Sequence, residues 1–277
     1  MLPAVLLKIS VMEIVGYLLA SLVGVSLGLI GSGGSILTVP ILVYIMGVAP
    51  VQATAYSLLI VGATALIGGL QSARAGKVDF KTVLIFGAPS ILAVYATRLW
   101  LVPLIPDSIA QIGTFELTKP IAMMLLFAVV MLMASISMIR PGKASVERTE
   151  DAPMQYNYPM ILLEGTLVGV LTGLVGAGGG FLIIPALVLL AKMPMKLAVG
   201  TSLFIIASKS LLGFIGDVQG GMNVDWMLLG LFSLSAILGI VVGLRLAHRI
   251  QGAKLKTGFG WFVLAMGFFI IVKELMA

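Results

Sequence analysis

Two glycine clusters are the residues best suited to hold a ligand in this chain. Gly31-Ser32-Gly33-Gly34-Ser35 and Gly176-Ala177-Gly178-Gly179-Gly180 each interrupt a long hydrophobic run. Glycine tolerates positive φ and lets a backbone or ligand come close. A helix that restarts after such a break presents free N–H groups at its positive end, which suits an oxyanion even without a buried cation. A polar stripe follows each cluster. Ser57, Thr64, Gly68 and Gln71 fall on one helical face, and their counterparts in the second half are Ser202, Lys209, Gly213 and Gly216. The ammonium of Lys209 in that face could bind an anion directly. It also stands about 7 residues, roughly 10 Å, before the end of its segment, so snorkelling toward water is the competing expectation.

Plainer readings stand beside these. Small residues line many helix contacts in membranes, so the glycines could serve packing alone. They are no dinucleotide fingerprint: the spacing fails at Ile36 and Phe181, and a membrane span offers no βαβ unit. Arg98 could touch an anion, although interface anchoring is the expectation for a charge at the end of a span. Glu13 and Glu164 could relay a proton, with a helix-start acid favoured by the dipole as the duller alternative. The candidate anion site is therefore Gly31, Ser32, Gly33, Gly34, Ser57 and Thr64 from one half, with Gly176, Ala177, Gly178, Gly179, Thr201, Ser202 and Lys209 from the other.

The elements that must position these residues are hydrophobic helices. Of 277 residues, 60% are hydrophobic and 10% charged, against about a quarter charged in a soluble domain. Uncharged blocks such as Ile121 to Ile139 and Gly230 to Leu244 approach the ~20 residues a transmembrane helix needs. They lack the two-residue alternation of a barrel strand, which leaves helices as the spanning form. There is no cysteine and one histidine, His248, so thiol chemistry and thiolate metal sites are excluded. No metal site or cofactor is expected. The net charge of +6 is scattered through short loops and reads as a topology signal, not a nucleic-acid surface.

The chain repeats itself. Gly28-Leu29-Ile30-Gly31 followed by Pro40 returns as Gly173-Leu174-Val175-Gly176 followed by Pro185, at an offset of 145 (173 − 28 and 185 − 40). Ser57-Leu58 matches Ser202-Leu203 at the same offset, and Asp79 resembles Asp225. The chain divides into an N-terminal membrane repeat, 1–140, a polar cytoplasmic linker, 141–158, and a C-terminal membrane repeat, 159–277. Each half reads as five hydrophobic segments: 10–30, 35–48, 50–72, 80–104 and 118–139, then 159–176, 180–191, 195–216, 226–248 and 254–275. The second of each set is too short for a comfortable crossing, so it is a half-helix or one arm of a re-entrant hairpin. Loop charge changes sides between the halves. Arg74, Lys77 and Lys81 face Asp217 and Asp225 as counterparts, and Asp107 and Glu116 face Arg245, Arg249, Lys254 and Lys256. Lys and Arg mark the cytoplasmic side. The halves are thus expected to be inverted, with the linker (Arg140, Lys143, Arg148) inside and both termini extracytoplasmic. The fold expected is an all-α polytopic membrane protein of two inverted repeats, about eight to ten spans, with broken or re-entrant helices at the Gly-rich motifs.

This arrangement resembles the TauE/SafE family of sulfite and organosulfonate transporters. The residues that carry the likeness are Gly31-Ser32-Gly33-Gly34 with Pro40 and Ala53-Thr54-Ala55-Tyr56-Ser57-Leu58, then Gly176-Ala177-Gly178-Gly179 with Pro185 and Gly200-Thr201-Ser202-Leu203. It spans nearly the whole chain except the linker. Tyr56 stands where the second half has Thr201, and Ser35 where it has Gly180, so the two half-sites need not contribute equally. The resemblance implies a secondary carrier of small sulfur-containing anions in the cell inner membrane. Its expected partners are a small anionic substrate, the lipid bilayer and, for assembly, a second copy of the chain. An anion channel or a carrier of another small organic anion is the alternative. An enzyme is not expected, because a serine hydrolase needs a base near its serine and the one histidine lies beyond a span.

Overall fold

A computed structural model of the chain describes residues 11–31, 33–112, 115–139, 158–189, 193–247 and 252–276. Ser32, His248, Arg249, nearly all of the linker and both chain ends lie outside the described residues. Ten helical elements follow in order: α1 Val11–Ile30, α2 Gly33–Ile45, α3 Pro50–Arg74, α4 Phe80–Leu104, α5 Lys119–Ile139, α6 Tyr158–Val175, α7 Gly180–Leu189, α8 Met195–Gln219, α9 Trp226–Leu246 and α10 Gly252–Met276. Seven of them (α1, α3, α4, α5, α8, α9, α10) are long and apolar enough to cross a membrane. One short hairpin was not expected. β1 Ser108–Ile112 pairs antiparallel with β2 Phe115–Thr118 between α4 and α5, with Gln111 opposite Glu116.

The repeat written in the sequence reappears in the helix ends. Gly31 and Gly176 each take a positive φ, 88° and 76°, and donate to Leu27 O and Thr172 O at 2.8 Å. Both are left-handed caps that glycine alone fills without strain. Gly76 and Gly221 stop α3 and α8 in the same way, with Lys77 N reaching Ser72 O and Met222 N reaching Asp217 O. Asp79 and Asp225 then start α4 and α9, each side chain accepting from two backbone N–H groups of the first turn. The offset of 145 survives down to single hydrogen bonds at the glycine caps and becomes 146 at the two aspartates (225 − 79).

Packing relates the halves by a pseudo-two-fold exchange. α1 packs along α9 and α4 along α6, while α3 packs on α8 and α5 on α10. First elements meet fourth elements of the other half; third meets third, and fifth meets fifth. The glycine contacts give directions. Gly24 and Gly28 lie against Ala236 and Ile240 to Leu244, and Gly165, Gly169 and Gly173 against Phe86, Ser90 and Thr97, so these two seams run parallel. Gly62 lies against Leu211 and Gly69 against Phe204, and Gly260 against Met138 and Gly267 against Leu132, so those two run antiparallel. Equivalent helices therefore point in opposite directions, as an inverted repeat requires. Such seams tolerate no added carbon. A Cβ at Gly239 would come 2.0 Å from the Ser21 carbonyl oxygen. Gly239→Ala is expected to lower stability by about 1–3 kcal/mol through overpacking. Thermal melting in detergent reads it, and an unchanged midpoint would contradict the seam.

The short second segment of the first half is a returning arm. Gly34 lies against Val23, Ser26 and Leu27 of α1, and Gly16 near the start of α1 lies against Met46 just past α2. α2 thus runs back along α1 before α3 begins. Its winding changes from a 3-10 turn at Gly33–Leu37 to a π turn at Ile41–Ile45. Irregular backbone at membrane depth is tolerated where protein surrounds it, and residues 33 to 36 are buried. The Tyr44 hydroxyl donates to Glu274 Oε1 at 2.7 Å, tying the far end of α2 to the end of α10. The start of α1 and the end of α10 therefore share one membrane face.

Candidate functional site

The two glycine breaks meet at the centre of the bundle. The Ser35 hydroxyl at the first break donates to Ala177 O at the second, at 2.8 Å and fully buried. A Cβ at Gly178 would lie 2.7 Å from Val61 and 3.5 Å from Ile206. Those two residues are themselves 145 apart and stand half-way along α3 and α8. The breaks thus converge where the central helices cross. Gly178 and Gly179 keep positive φ, 67° and 61°, so the chain turns twice in a space that side chains would fill.

Lys209 reaches into the same place. It is 0% exposed, and its ammonium donates to Thr172 Oγ1 at 2.8 Å. A Cβ at Gly179 would lie 2.9 Å from its Nζ. The snorkelling alternative is overturned: the side chain points across to α6 and the second break, not to the membrane face. Among the described residues no carboxylate pairs with it. A small, mainly apolar cavity lined by Val130, Leu171, Thr172, Val175, Ala177, Gly179 and Leu182 opens beside this lysine's partner.

The remaining candidates divide. Ser57 is buried with its hydroxyl unpartnered among the described residues. Thr64 and Ser202 are buried, but their hydroxyls donate to Ile60 O and Val199 O of their own helices. Gly31 packs on Val199, Gly33 on Met138 and Ile30, and Gly176 on the Thr54 backbone. Ser32 lies outside the described residues. Thr201 Oγ1 accepts from Asp79 N at 3.0 Å, and in the other half the Tyr56 hydroxyl accepts from Asp225 N at 2.7 Å. The Tyr-for-Thr difference therefore preserves one job, a clasp from a central helix onto the opposite repeat's helix start. Tyr56→Phe is expected to lower stability by about 1 kcal/mol, measured as a detergent melting shift; no shift would remove the clasp. Glu13 lies in the first turn of α1 and Glu164 about 12 Å along α6 from Thr172, so neither reaches the breaks.

Sequence reasoning missed an ion pair. Arg98 was expected at an interface and Asp217 in a loop, yet Arg98 is 1% exposed in a π turn of α4 and Asp217 is 9% exposed near the end of α8. Arg98 Nη1 lies 3.5 Å from Asp217 Oδ1 and donates to Thr54 Oγ1 at 3.2 Å. The available signal was two opposite charges inside apolar runs at similar depth, which lipid would not tolerate apart.

The match to known proteins decides the family. The sulfite exporter TauE/SafE family matches residues 17–270. The chain belongs to this family. It is 32% identical over 257 residues to a "probable membrane transporter protein" of Xylella fastidiosa, covering 91% of this chain and 92% of that one. A protein of the same description from Bacillus subtilis is 32% identical over 257 residues, with 87% of each chain covered. One from Methanocaldococcus jannaschii is 26% identical over 280 residues, covering 96% and 97%. No solved structure matches. This TauE/SafE member is a multi-pass membrane transporter and not an enzyme.

Proposed function

We propose that the protein is a secondary carrier of small sulfur-containing oxyanions, sulfite or sulfonates, held where the two glycine breaks meet beside Lys209. The observation that carries this is the Lys209 ammonium, wholly buried with a hydroxyl and, among the described residues, no carboxylate for company. A buried cation without a counter-charge is costly, and a small anion supplies that charge. Ser57, Ala177, Gly178 and Gly179 give the anion short polar groups and close backbone around it. The burial of Lys209, Ser35 and Ser57, each 0% exposed, supports a carrier over an open pore, since a pore needs a continuous path past its binding groups. The family description supports sulfite chemistry.

The orientation follows from charge. Arg74, Lys77 and Lys81 mark the cytoplasmic face of an inner membrane. Gly200 near the start of α8 packs on Lys77 O, and Gly31 at the end of α1 packs on Val199. The start of α1 and the end of α10 then lie outside. The substrate test is a thermal-shift screen of purified protein with sulfite, sulfate, thiosulfate, sulfoacetate, taurine and simple carboxylates. A ligand of the folded state raises its melting temperature, so selective shifts with sulfur oxyanions are expected. Shifts with carboxylates alone would reassign the substrate.

A further inference from the structure

We propose that the Arg98 guanidinium is a second oxyanion station, separate from Lys209 and displaced about 12 Å along α8 toward the Asp217 end. It extends the anion-carrier reading and rests on it. Arg98 is 1% exposed, yet among the described residues only Nη1 has partners; Nε and Nη2 have none, and neither has Asp217 Oδ2. A structural Arg–carboxylate pair engages two parallel N–H···O bonds at about 2.7–2.9 Å. Here one oxygen stands 3.5 Å from one nitrogen. The side edge of the guanidinium, Nε with Nη2, is left open, and that edge is shaped for two oxygens of one acid group. Buried donors left unmade are costly, so this edge calls for an acceptor.

The fold does not require the cluster. At the offset of 145 that relates α3 to α8, Asp217 corresponds to Ser72 and Thr54 to Val199; at the offset of 146 that relates α4 to α9 (225 − 79), Arg98 corresponds to Leu244. The seam related to this one by the repeat closes with none of the three. Thr54 also joins the station to the carrier site: its hydroxyl accepts from Arg98, while its backbone lies against Gly176 at the second break. Gly216 leaves room for the arginine, since a Cβ there would lie 3.3 Å from Arg98 Cβ. The ligand class is a sulfite, sulfonate or similar acid group, which Arg98 holds while Asp217 competes for the same guanidinium.

Equilibrium binding of radiolabelled sulfite to the purified full chain tests this. Wild type is expected to bind about two per chain, and the charge-balanced R98Q/D217N variant about one, the survivor being the site that K209M removes. D217N alone keeps the guanidinium and frees it from its competitor, so it is expected to bind sulfite about 10-fold more tightly at the Arg98 station. A purely structural pair predicts lowered melting temperatures with unchanged sulfite stoichiometry and affinity, and that result overturns the station. A single wild-type site that survives in R98Q/D217N overturns it as well. Loss of a site in R98Q/D217N with none lost in K209M keeps the station and removes the Lys209 reading. No sulfite binding by wild type removes both.

Discussion

Replacing Lys209 with Met is expected to weaken sulfite binding about 10- to 100-fold, the range for losing a charge-assisted hydrogen bond worth about 1.5–3 kcal/mol. Met keeps most of the side-chain volume, so the packing of α8 on α6 should persist. Folding gives the variant a second signature. Lys209 is buried with Thr172 as its partner, and removing an uncompensated charge from an apolar centre relieves a desolvation penalty. K209M should therefore melt at or above the wild-type temperature without ligand and show a smaller shift when sulfite is added. Isothermal titration and thermal melting of the same preparation check both halves. Wild-type affinity in K209M would place the anion elsewhere.

The second large effect is expected at Gly178. Its φ of 67° lies in the left-handed region that a β-branched residue rarely enters, and a Cβ there would press to 2.7 Å from Val61 Cγ1. Ser35 Oγ, which holds the two breaks together, would lie at 3.5 Å. Gly178→Val should force the breaks apart and reduce transport by at least about 100-fold, the scale on which a misplacement of about 1 Å acts. The spans that direct insertion are untouched, so the protein should still reach the membrane. Gly33 provides a contrast. It needs no positive φ, and its nearest neighbours are the flexible Met138 and Ile30 side chains at 3.1 and 3.2 Å. Gly33→Ala should be milder than Gly178→Val. Equal loss in both would mean that bulk anywhere near the breaks is enough and that backbone conformation at Gly178 plays no part.

Much of the fold was legible in the sequence because duplication writes itself twice. The ten hydrophobic segments fall within a few residues of the ten helices, and the caps at Gly31 and Gly176 stand where the repeat predicts them. The sign change of loop charge anticipated the antiparallel packing of α3 on α8 and α5 on α10. The β1–β2 hairpin was passed over, although Phe115-Glu116-Leu117-Thr118 alternates apolar and polar residues as a strand does. The site was only partly legible. Glycine clusters show that backbone must come close but not to what, and the Ser35 to Ala177 contact spans 142 residues. Lys209 and Arg98 posed the harder problem. A long cationic side chain in a span can run to water or turn inward, and depth alone does not choose between them. Neighbours chose: Thr172 and Gly179 open a path inward for Lys209, and Asp217 and Thr54 receive Arg98. None of these partners is close in sequence.

We propose that a sulfur oxyanion is carried at the crossing of the two breaks by the buried Lys209. The most direct test is radiolabelled sulfite uptake into proteoliposomes, comparing wild type with K209M at equal incorporation. Wild type is expected to show saturable uptake, and K209M a strongly raised half-saturation concentration. Uptake by K209M with the wild-type concentration dependence would contradict it.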